Sequence, residues 1–127
     1  MRICMYAPTS PSDRRIYQLH ADLCKTLSNP IRLEILSLLR DEECSVNALA
    51  TLTHVRQATV SQHLAVLRQR GVVSARKEGA NIFYNIANKK IIEACDMIRE
   101  VLFEQMAEIE KVAREAEDKN RRLERLR

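Results

Sequence analysis

The sequence predicts a mainly α-helical fold with one β-hairpin, in the order α-α-α-α-β-β-α and with a long last helix. Apolar residues recur at spacings of three and four along most of the 127 residues, which is the period of an amphipathic helix. One short segment departs from that period: it is β-branched and aromatic, and it holds both glycines of the chain, Gly71 and Gly79. Only 4% of the residues are aromatic and none is Trp, so the core of this small domain should be aliphatic.

Three helices are predicted in the first part of the chain. The first, residues 13–27, begins with Asp13, because a carboxylate is favourable at a helix N-terminus. Asn29 and Pro30 supply a capping side chain and a first-turn proline for a strongly apolar second helix that extends to about residue 40. Residues 45–52 form a compact apolar-periodic stretch, which is predicted to be the first helix of a helix-turn-helix pair.

A fourth predicted helix, residues 57–70, has two chemically different faces. Val60, Leu64 and Leu67 recur at spacings of four and three and mark a buried stripe, which Ala65 and Val66 extend. The opposite face carries short or planar hydrogen-bonding side chains near the start of the helix: Gln57, Thr59, Ser61, Gln62 and His63. Such groups suit a helix whose N-terminal half is presented to base edges in a DNA major groove, whereas a merely solvated face is usually richer in Glu and Lys.

A hairpin follows this helix directly. Gly71 suits the left-handed conformation that ends a helix, and residues 72–77 and 82–86 are short β-branched or aromatic runs separated by a four-residue turn. The basic and polar residues near its tip are Arg76, Lys77 and Asn81. A helix-turn-helix followed by a basic hairpin is the arrangement of a winged helix-turn-helix fold, so the hairpin is interpreted as the wing.

The positive charge of the chain is concentrated in the same segment. Residues 54–81 hold five Arg or Lys side chains and one acidic side chain, so their net charge is +4, which equals the net charge of the whole chain. A local excess of this kind favours binding to DNA phosphates with release of counterions. The predicted DNA contacts therefore include Arg56 and Arg68 in addition to the polar helix residues and the hairpin residues.

Four fragments in unbroken order, LSNPIRLEILSLL, SVNALATLT, TVSQHLAVLRQRGVV and RKEGANIFYNI, resemble the ArsR/SmtB (arsenic-repressor and metallothionein-repressor) family of winged helix-turn-helix transcription factors. The resemblance covers roughly residues 16–100. It implies a bacterial or archaeal homodimeric repressor that binds a palindromic operator in double-stranded DNA and leaves it when an inducer binds. It also implies DNA contacts at these helix and wing positions: Gln57, Thr59, Ser61, Gln62, His63, Arg76 and Lys77.

One position departs from the family pattern. Where family members usually have a serine as the cap of the recognition helix, this chain has Arg56. The exchange is expected to cost a capping hydrogen bond of about 1 kcal/mol unless another group replaces it. It also makes Arg56 a candidate phosphate contact.

The C-terminal third is predicted to be helical, with two interpretations open. By the resemblance, residues 89–103 form a helix that packs with the first helix at the dimer interface. Further on, apolar and small residues follow a heptad pattern that would pair the helix with its twin, with one polar core position: Leu102, Met106, Ile109, Ala113, Ala116, Asn120, Leu123 and Arg127. The alternative is a long solvated helix, since seven acidic side chains balance seven basic ones after Phe103. The predicted domains are a flexible arm (1–12), a DNA-binding and dimerisation domain (13–103) and a charged helical extension (104–127).

The four cysteines, Cys4, Cys24, Cys44 and Cys95, leave the control of DNA binding open. They contain no C-x-C or C-x-x-C pair, so no local metal clip is predicted, and the identity of any metal or other cofactor is unknown. A thiolate site for a metal or metalloid could form from Cys4 and Cys44, and a redox switch from Cys24 and Cys95. The alternative is that Cys24 and Cys95 are buried small hydrophobic residues.

The sequence argues against an enzyme. It has no Cys/His or Ser/His/Asp arrangement and no phosphate loop. It also has no uncharged apolar run of 18 residues and no signal-peptide pattern, so the protein is expected in the cytoplasm, on the nucleoid when bound to DNA, and not in a membrane. A constitutive or partner-controlled DNA-binding regulator with no small-molecule inducer is the alternative to an inducible repressor.

Overall fold

The computed structural model describes residues 10–127 and confirms the predicted fold class. In chain order the elements are α1 Pro11–Leu27, α2 Pro30–Leu38, β1 Cys44–Ser45, α3 Val46–Thr53, α4 Gln57–Gln69, β2 Val73–Glu78, β3 Asn81–Ile86 and α5 Lys90–Arg125. The first nine residues of the predicted arm, with Cys4 among them, lie outside the described residues. The described residues divide into two compact units, residues 10–89 and 90–127.

Helix α1 begins two residues before the predicted start because Ser10 and Asp13 form a capping box. The Ser10 hydroxyl accepts a hydrogen bond from the Asp13 backbone N–H at 3.2 Å, and the Asp13 carboxylate accepts one from the Ser10 backbone N–H at 3.0 Å. Pro11 occupies the first turn, where its missing N–H costs nothing. Asp13 is therefore the third residue of the helix and not its first, and the two hydrogen bonds from Ser10 lower the pKa of its carboxyl group.

The next two helices are capped by side chains as well. The Asn29 side chain accepts hydrogen bonds from the N–H groups of Ile31 at 2.9 Å and Arg32 at 3.2 Å, which confirms the predicted cap of α2. Helix α2 ends at Leu38, earlier than predicted. Ser45 caps α3 by accepting from the Ala48 N–H at 3.2 Å. Helix α3 ends at Thr53, and the next residue, His54, turns the chain towards α4 with a left-handed φ of 57°.

The β-sheet has three strands, one more than the predicted hairpin. Strands β2 and β3 pair antiparallel, from Val73 opposite Ile86 to Glu78 opposite Asn81, and Gly79 takes φ 62° in the two-residue turn between them. The short strand β1 adds to the free side of β3, so the order is β1-β3-β2. Because β1 leads directly into α3, this pairing fixes the wing to the helix-turn-helix.

The core of the first unit is aliphatic, as predicted. Its fully buried side chains come from α2, α3, α4 and the residue before β2: Ile35, Leu36, Leu49, Val60, Leu64, Leu67 and Val72. Each buried side chain of this size stabilises the fold by about 1.5–3 kcal/mol relative to exposure. The predicted stripe of α4 is thus confirmed at its three main positions. Its predicted extension is wrong at Ala65, which is exposed, while Val66 is half-buried.

The second unit is one helix, α5, which continues through Lys90–Arg125 without a break. Arg122 and Arg125 lie in its last turn, where positive charge is favourable. Two ion pairs with i,i+4 spacing, Glu110–Arg114 and Glu117–Arg121, lie on its surface. All four side chains are largely exposed, so each pair contributes at most a few tenths of a kcal/mol.

Candidate nucleic-acid interface

The N-terminal half of α4 presents a row of exposed amide and hydroxyl groups. Gln57, Ser61 and Gln62 are exposed, and Thr59 is half-buried. Among residues 10–127 no hydrogen bond is made to the side chains of Gln57, Ser61 and Gln62. Their donors and acceptors are therefore available to a ligand, and this is the chemistry that reads base edges.

His63 differs from these neighbours because it is half-buried and has a partner. Its Nδ1 accepts a hydrogen bond at 3.1 Å from Nε of Arg32, and Nη1 of Arg32 donates to the backbone carbonyl of Thr26 at 3.0 Å. The arrangement joins the last turn of α1, the first turn of α2 and α4. Burial and, to a smaller extent, the positive charge of Arg32 lower the pKa of the imidazole. A lowered pKa favours the neutral imidazole, and a neutral ring that accepts at Nδ1 carries its proton on Nε2.

Arg56 precedes α4 with the backbone of an N-cap and without the corresponding side-chain bond. Its φ and ψ are −57° and 140°, and its carbonyl accepts the first helical hydrogen bond, from the N–H of Val60, at 3.0 Å. No side chain caps the helix at this position, as predicted. The exposed guanidinium of Arg56 and that of Arg68, in the last turn, add positive charge at both ends of the candidate reading helix.

The two cations of the wing stand in different surroundings. Lys77 is exposed, as is Asn81 beside the turn. Arg76, in contrast, lies 4.9 Å from the ring centroid of Phe83 and forms ion pairs with Glu43 and Glu78. These hydrogen bonds, first with Glu43 and then with Glu78, raise the pKa of Arg76 further above its usual range, and the bond from Arg76 lowers the pKa of Glu43.

Sequence reasoning missed Glu43 altogether. It belongs to an acidic run, residues 41–43, that the sequence shows only as a polar connection between two helices. The partners Arg76 and Asn85 lie 33 and 42 positions further along the chain. The pairing of β1 with β3 is what brings Glu43 next to them, and because β1 was not predicted, no sequence signal pointed to this contact.

The three cysteines within the described residues form no disulfide. Cys24 is exposed in the single chain, so its predicted burial is wrong there, and Cys95 is half-buried. Cys44 is half-buried, and burial, followed by the charges of Glu42 and Glu43, raises the pKa of its thiol. A raised pKa disfavours the thiolate that binds metals.

Two further properties concern residues 10–127 only. No group of three or more His, Cys, Asp or Glu side chains there is arranged to hold a metal ion. In the same part of the chain, no helix combines the length and apolar character needed to cross a bilayer.

Comparison with known proteins identifies the same residues as a regulatory domain. The family model described as "Bacterial regulatory protein, arsR family" matches residues 29–75. An uncharacterized HTH-type transcriptional regulator of Mycobacterium tuberculosis, Rv0081, is 40% identical over 88 residues, which are 68% of this chain and 77% of that protein. A biofilm growth-associated repressor of Agrobacterium fabrum is 44% identical over 77 residues, covering 58% of this chain and 66% of the repressor.

The fold of this chain is also similar to that of a solved winged helix-turn-helix structure. The solution structure of a homodimeric winged helix-turn-helix DNA-binding domain from Mycobacterium bovis, described as a possible ArsR-family regulator, has a TM-score of 0.70 and 33% sequence identity with this chain. The match covers 80% of this chain and 94% of that domain. Members of the family are transcriptional regulators, which confirms that the protein is not an enzyme. The chain belongs to the arsR family of bacterial regulatory proteins, and it is a winged helix-turn-helix DNA-binding regulator.

Proposed function

We propose that the protein is a homodimeric, sequence-specific repressor that binds a palindromic operator. The observation that carries the proposal is the polar face of α4, whose side chains Gln57, Ser61 and Gln62 have no hydrogen-bond partner among residues 10–127. Repression, as opposed to activation, is supported by the relative from Agrobacterium fabrum, which is named a repressor. Because its target is chromosomal DNA, we place the protein in the cytoplasm, on the nucleoid when it is bound.

A second copy of the chain is the partner we propose for the exposed apolar residues of α1 and α5. Helix α1 exposes Ile16, Tyr17 and Leu19 by more than half, and α5 exposes a longer series that includes Val101 and Leu102. Exposed apolar side chains at this density mark an interface. The homodimeric state of the domain from Mycobacterium bovis supports the same assignment. We accordingly propose residues 13–103 as the DNA-binding and dimerisation domain and residues 104–127 as its charged extension.

In the proposed complex, the two α4 helices enter successive major grooves about 34–36 Å apart. The side chains proposed to face DNA from α4 and its flank are Arg56, Gln57, Thr59, Ser61, Gln62, His63 and Arg68. A glutamine amide can donate to and accept from the same adenine edge, so it discriminates between bases, whereas an arginine at a phosphate does not. From the wing we propose Lys77 and Asn81 as contacts with the flanking backbone.

The decisive test exchanges one glutamine of α4 for alanine. We expect Gln62→Ala to weaken binding to the operator by about 1–3 kcal/mol and to relax base preference, because an amide that reads a base edge is lost. Fluorescence anisotropy with DNA from the gene's own upstream region measures the affinity, and single-base variants of that DNA measure the preference. Gln69→Ala is the matched control, since Gln69 is an exposed glutamine at the far end of the same helix. Equal effects of the two substitutions would contradict the assignment of Gln62.

A regulator without a small-molecule inducer is the second candidate. It is favoured by the absence of a three-ligand metal cluster within residues 10–127 and by the raised pKa of Cys44. Titration of the protein–operator complex with As(III), Cd(II), Zn(II) and an oxidant separates the candidates. Release that is lost in Cys4→Ser or Cys44→Ser would establish a thiolate sensor, and release that depends on Cys24 or Cys95 a redox switch. Binding that ignores every treatment would establish the second candidate.

A further inference from the structure

The half-exposed side chain of Arg76 is held by partners within its own chain. Its Nε donates to Glu43 at 2.7 Å, its Nη2 donates to the other oxygen of the same carboxylate, and its Nη1 donates to Glu78 at 2.6 Å. The ring of Phe83 lies 4.9 Å from the guanidinium carbon. All three nitrogens of the group are thus engaged, two of them in the bidentate geometry that makes an arginine–carboxylate pair strong.

This cluster, defined as Arg76, Glu43 and Glu78, carries a net charge of −1. Arg76 therefore adds nothing to the positive charge that the wing presents to DNA, although by sequence it is one of the five cations of the basic segment. Two N–H groups of the guanidinium stay outside these three bonds, and a phosphate that approached them would meet the negative charge of both carboxylates.

Glu43 also holds the wing in place. It lies immediately before β1, which pairs with β3 through Cys44 opposite Tyr84, and its carboxylate accepts a further hydrogen bond from the side chain of Asn85 on β3 at 3.4 Å. The same carboxylate thus contacts side chains of both strands of the hairpin, Arg76 on β2 and Asn85 on β3. Glu78 lies on β2 itself and contacts only Nη1, so it neutralises charge without linking the wing to the helix-turn-helix.

From this geometry we infer that Glu43 is a positioning residue for DNA recognition. It holds Arg76 in an ion pair that supports the wing, and it neutralises the charge that Arg76 would otherwise present to the DNA backbone. The inference rests on the proposed function, because it concerns how the wing meets DNA. Because Arg76 is held in this ion pair, Lys77 is the cation of β2 that is free to contact phosphate. The wing then orients the protein on DNA, and it adds little affinity that is independent of DNA sequence.

The dependence of affinity on salt tests the inference, because each phosphate contact contributes about 0.9 to the slope of log affinity against log salt. We expect Glu43→Gln to release Arg76 and to steepen the slope by about 0.9 per protomer on random DNA, which is about 3.5-fold in affinity between 50 and 200 mM salt. Glu78→Gln is the matched control, since it removes the same charge from the cluster but leaves the bidentate pair. We expect its effect to be less than half as large. Adding Arg76→Ala to Glu43→Gln should abolish the gain.

If the Glu43→Gln protein does not fold, the single variant Arg76→Ala tests the inference instead. A slope that stays within about 0.3 of the wild-type value supports the inference, whereas a fall of about 0.9 per protomer shows that Arg76 already contacts phosphate and overturns it. Equal effects of Glu43→Gln and Glu78→Gln would also overturn it. Failure of the proposed function is a separate outcome: the wild type would then bind operator and random DNA equally, while the slopes on random DNA would still decide the role of Glu43. A wild type that binds no DNA would overturn both.

Discussion

At the scale of single residues, the N-cap of α4 lacks the side-chain hydrogen bond that would stabilise this helix of the candidate interface. The backbone of Arg56 already has the extended conformation of a cap, so a serine there could accept a hydrogen bond from an N–H of the first turn. We expect Arg56→Ser to raise the free energy of unfolding by about 1 kcal/mol relative to Arg56→Ala, as measured by urea denaturation. Both variants should bind DNA less tightly, because both remove the proposed phosphate contact. Equal stabilities of the two variants would show that no cap forms.

Residue-scale predictions from the sequence were accurate where the cause was local. The cap of α2 by Asn29 and the stripe of Val60, Leu64 and Leu67 were correct, because they depend on neighbours within a few positions. The partners of His63 and Arg76 were missed. Each of these side chains pairs with a residue more than 30 positions away, and such a contact is created by the packing of elements. The DNA contacts themselves stay predictions.

At the scale of elements, the hydrogen bonds around Arg32 connect α4 to the end of α1 and make that connection sensitive to pH. The pKa of His63 is lowered from its ordinary value of 6.5, so the unfolded chain takes up a proton at a higher pH than the folded chain does. The stability that neutral His63 provides is therefore present above pH 6.5 and is lost as the pH falls through that value towards the lower folded pKa. Protonation also removes the lone pair of Nδ1 that accepts from Arg32.

We therefore expect the wild type to lose more free energy of unfolding than His63→Gln when the pH falls from 7 to 5. Urea denaturation at a series of pH values measures the difference. His20→Gln is the control, since His20 is an exposed histidine of α1. A pH dependence that is the same for wild type and His63→Gln would show that the Arg32 contact does not couple protonation to folding.

Element boundaries show the same division between local and distant causes. Every predicted helix and both hairpin strands exist, with ends displaced by one to two residues at most positions. The two residues of β1 could not be predicted, because Cys44 and Ser45 have no strand pattern of their own and become a strand only by pairing with Tyr84 and Phe83. The pairing of β1 with β3 positions Glu43 beside Arg76. Because Glu43 neutralises Arg76, the wing of the structure is less positively charged than the wing inferred from the sequence.

At the scale of the whole molecule, the burial expected from sequence and the exposure found in the single chain differ along α1. One of the two sequence interpretations made Cys24 a buried small hydrophobic residue, yet it is exposed, as are the apolar residues Ile16, Tyr17 and Leu19 that form a stripe on the same helix. An apolar stripe read from sequence predicts burial without stating whether the covering surface belongs to the same chain. The heptad pattern of α5 is a case of the same kind: the helix is confirmed, and its pairing with a twin stays a prediction.

A charge placed in the stripe of α1 decides whether a second copy covers it. Leu19 is 52% exposed in the single chain, so Leu19→Glu should leave the fold of each protomer intact. If the stripe lies in a dimer interface, the substitution removes two buried leucines per dimer, a loss of roughly 3 kcal/mol or more, and the dissociation constant should rise by at least about 100-fold. Analytical ultracentrifugation measures the dimer, and affinities for operators with one and with two half-sites show whether binding to the pair is lost selectively. Gln18→Glu adds the same charge one position away, on an exposed polar side chain, and should change neither quantity. A Leu19→Glu protein that remained a dimer with undiminished two-site affinity would show that these residues of α1 lie outside the interface.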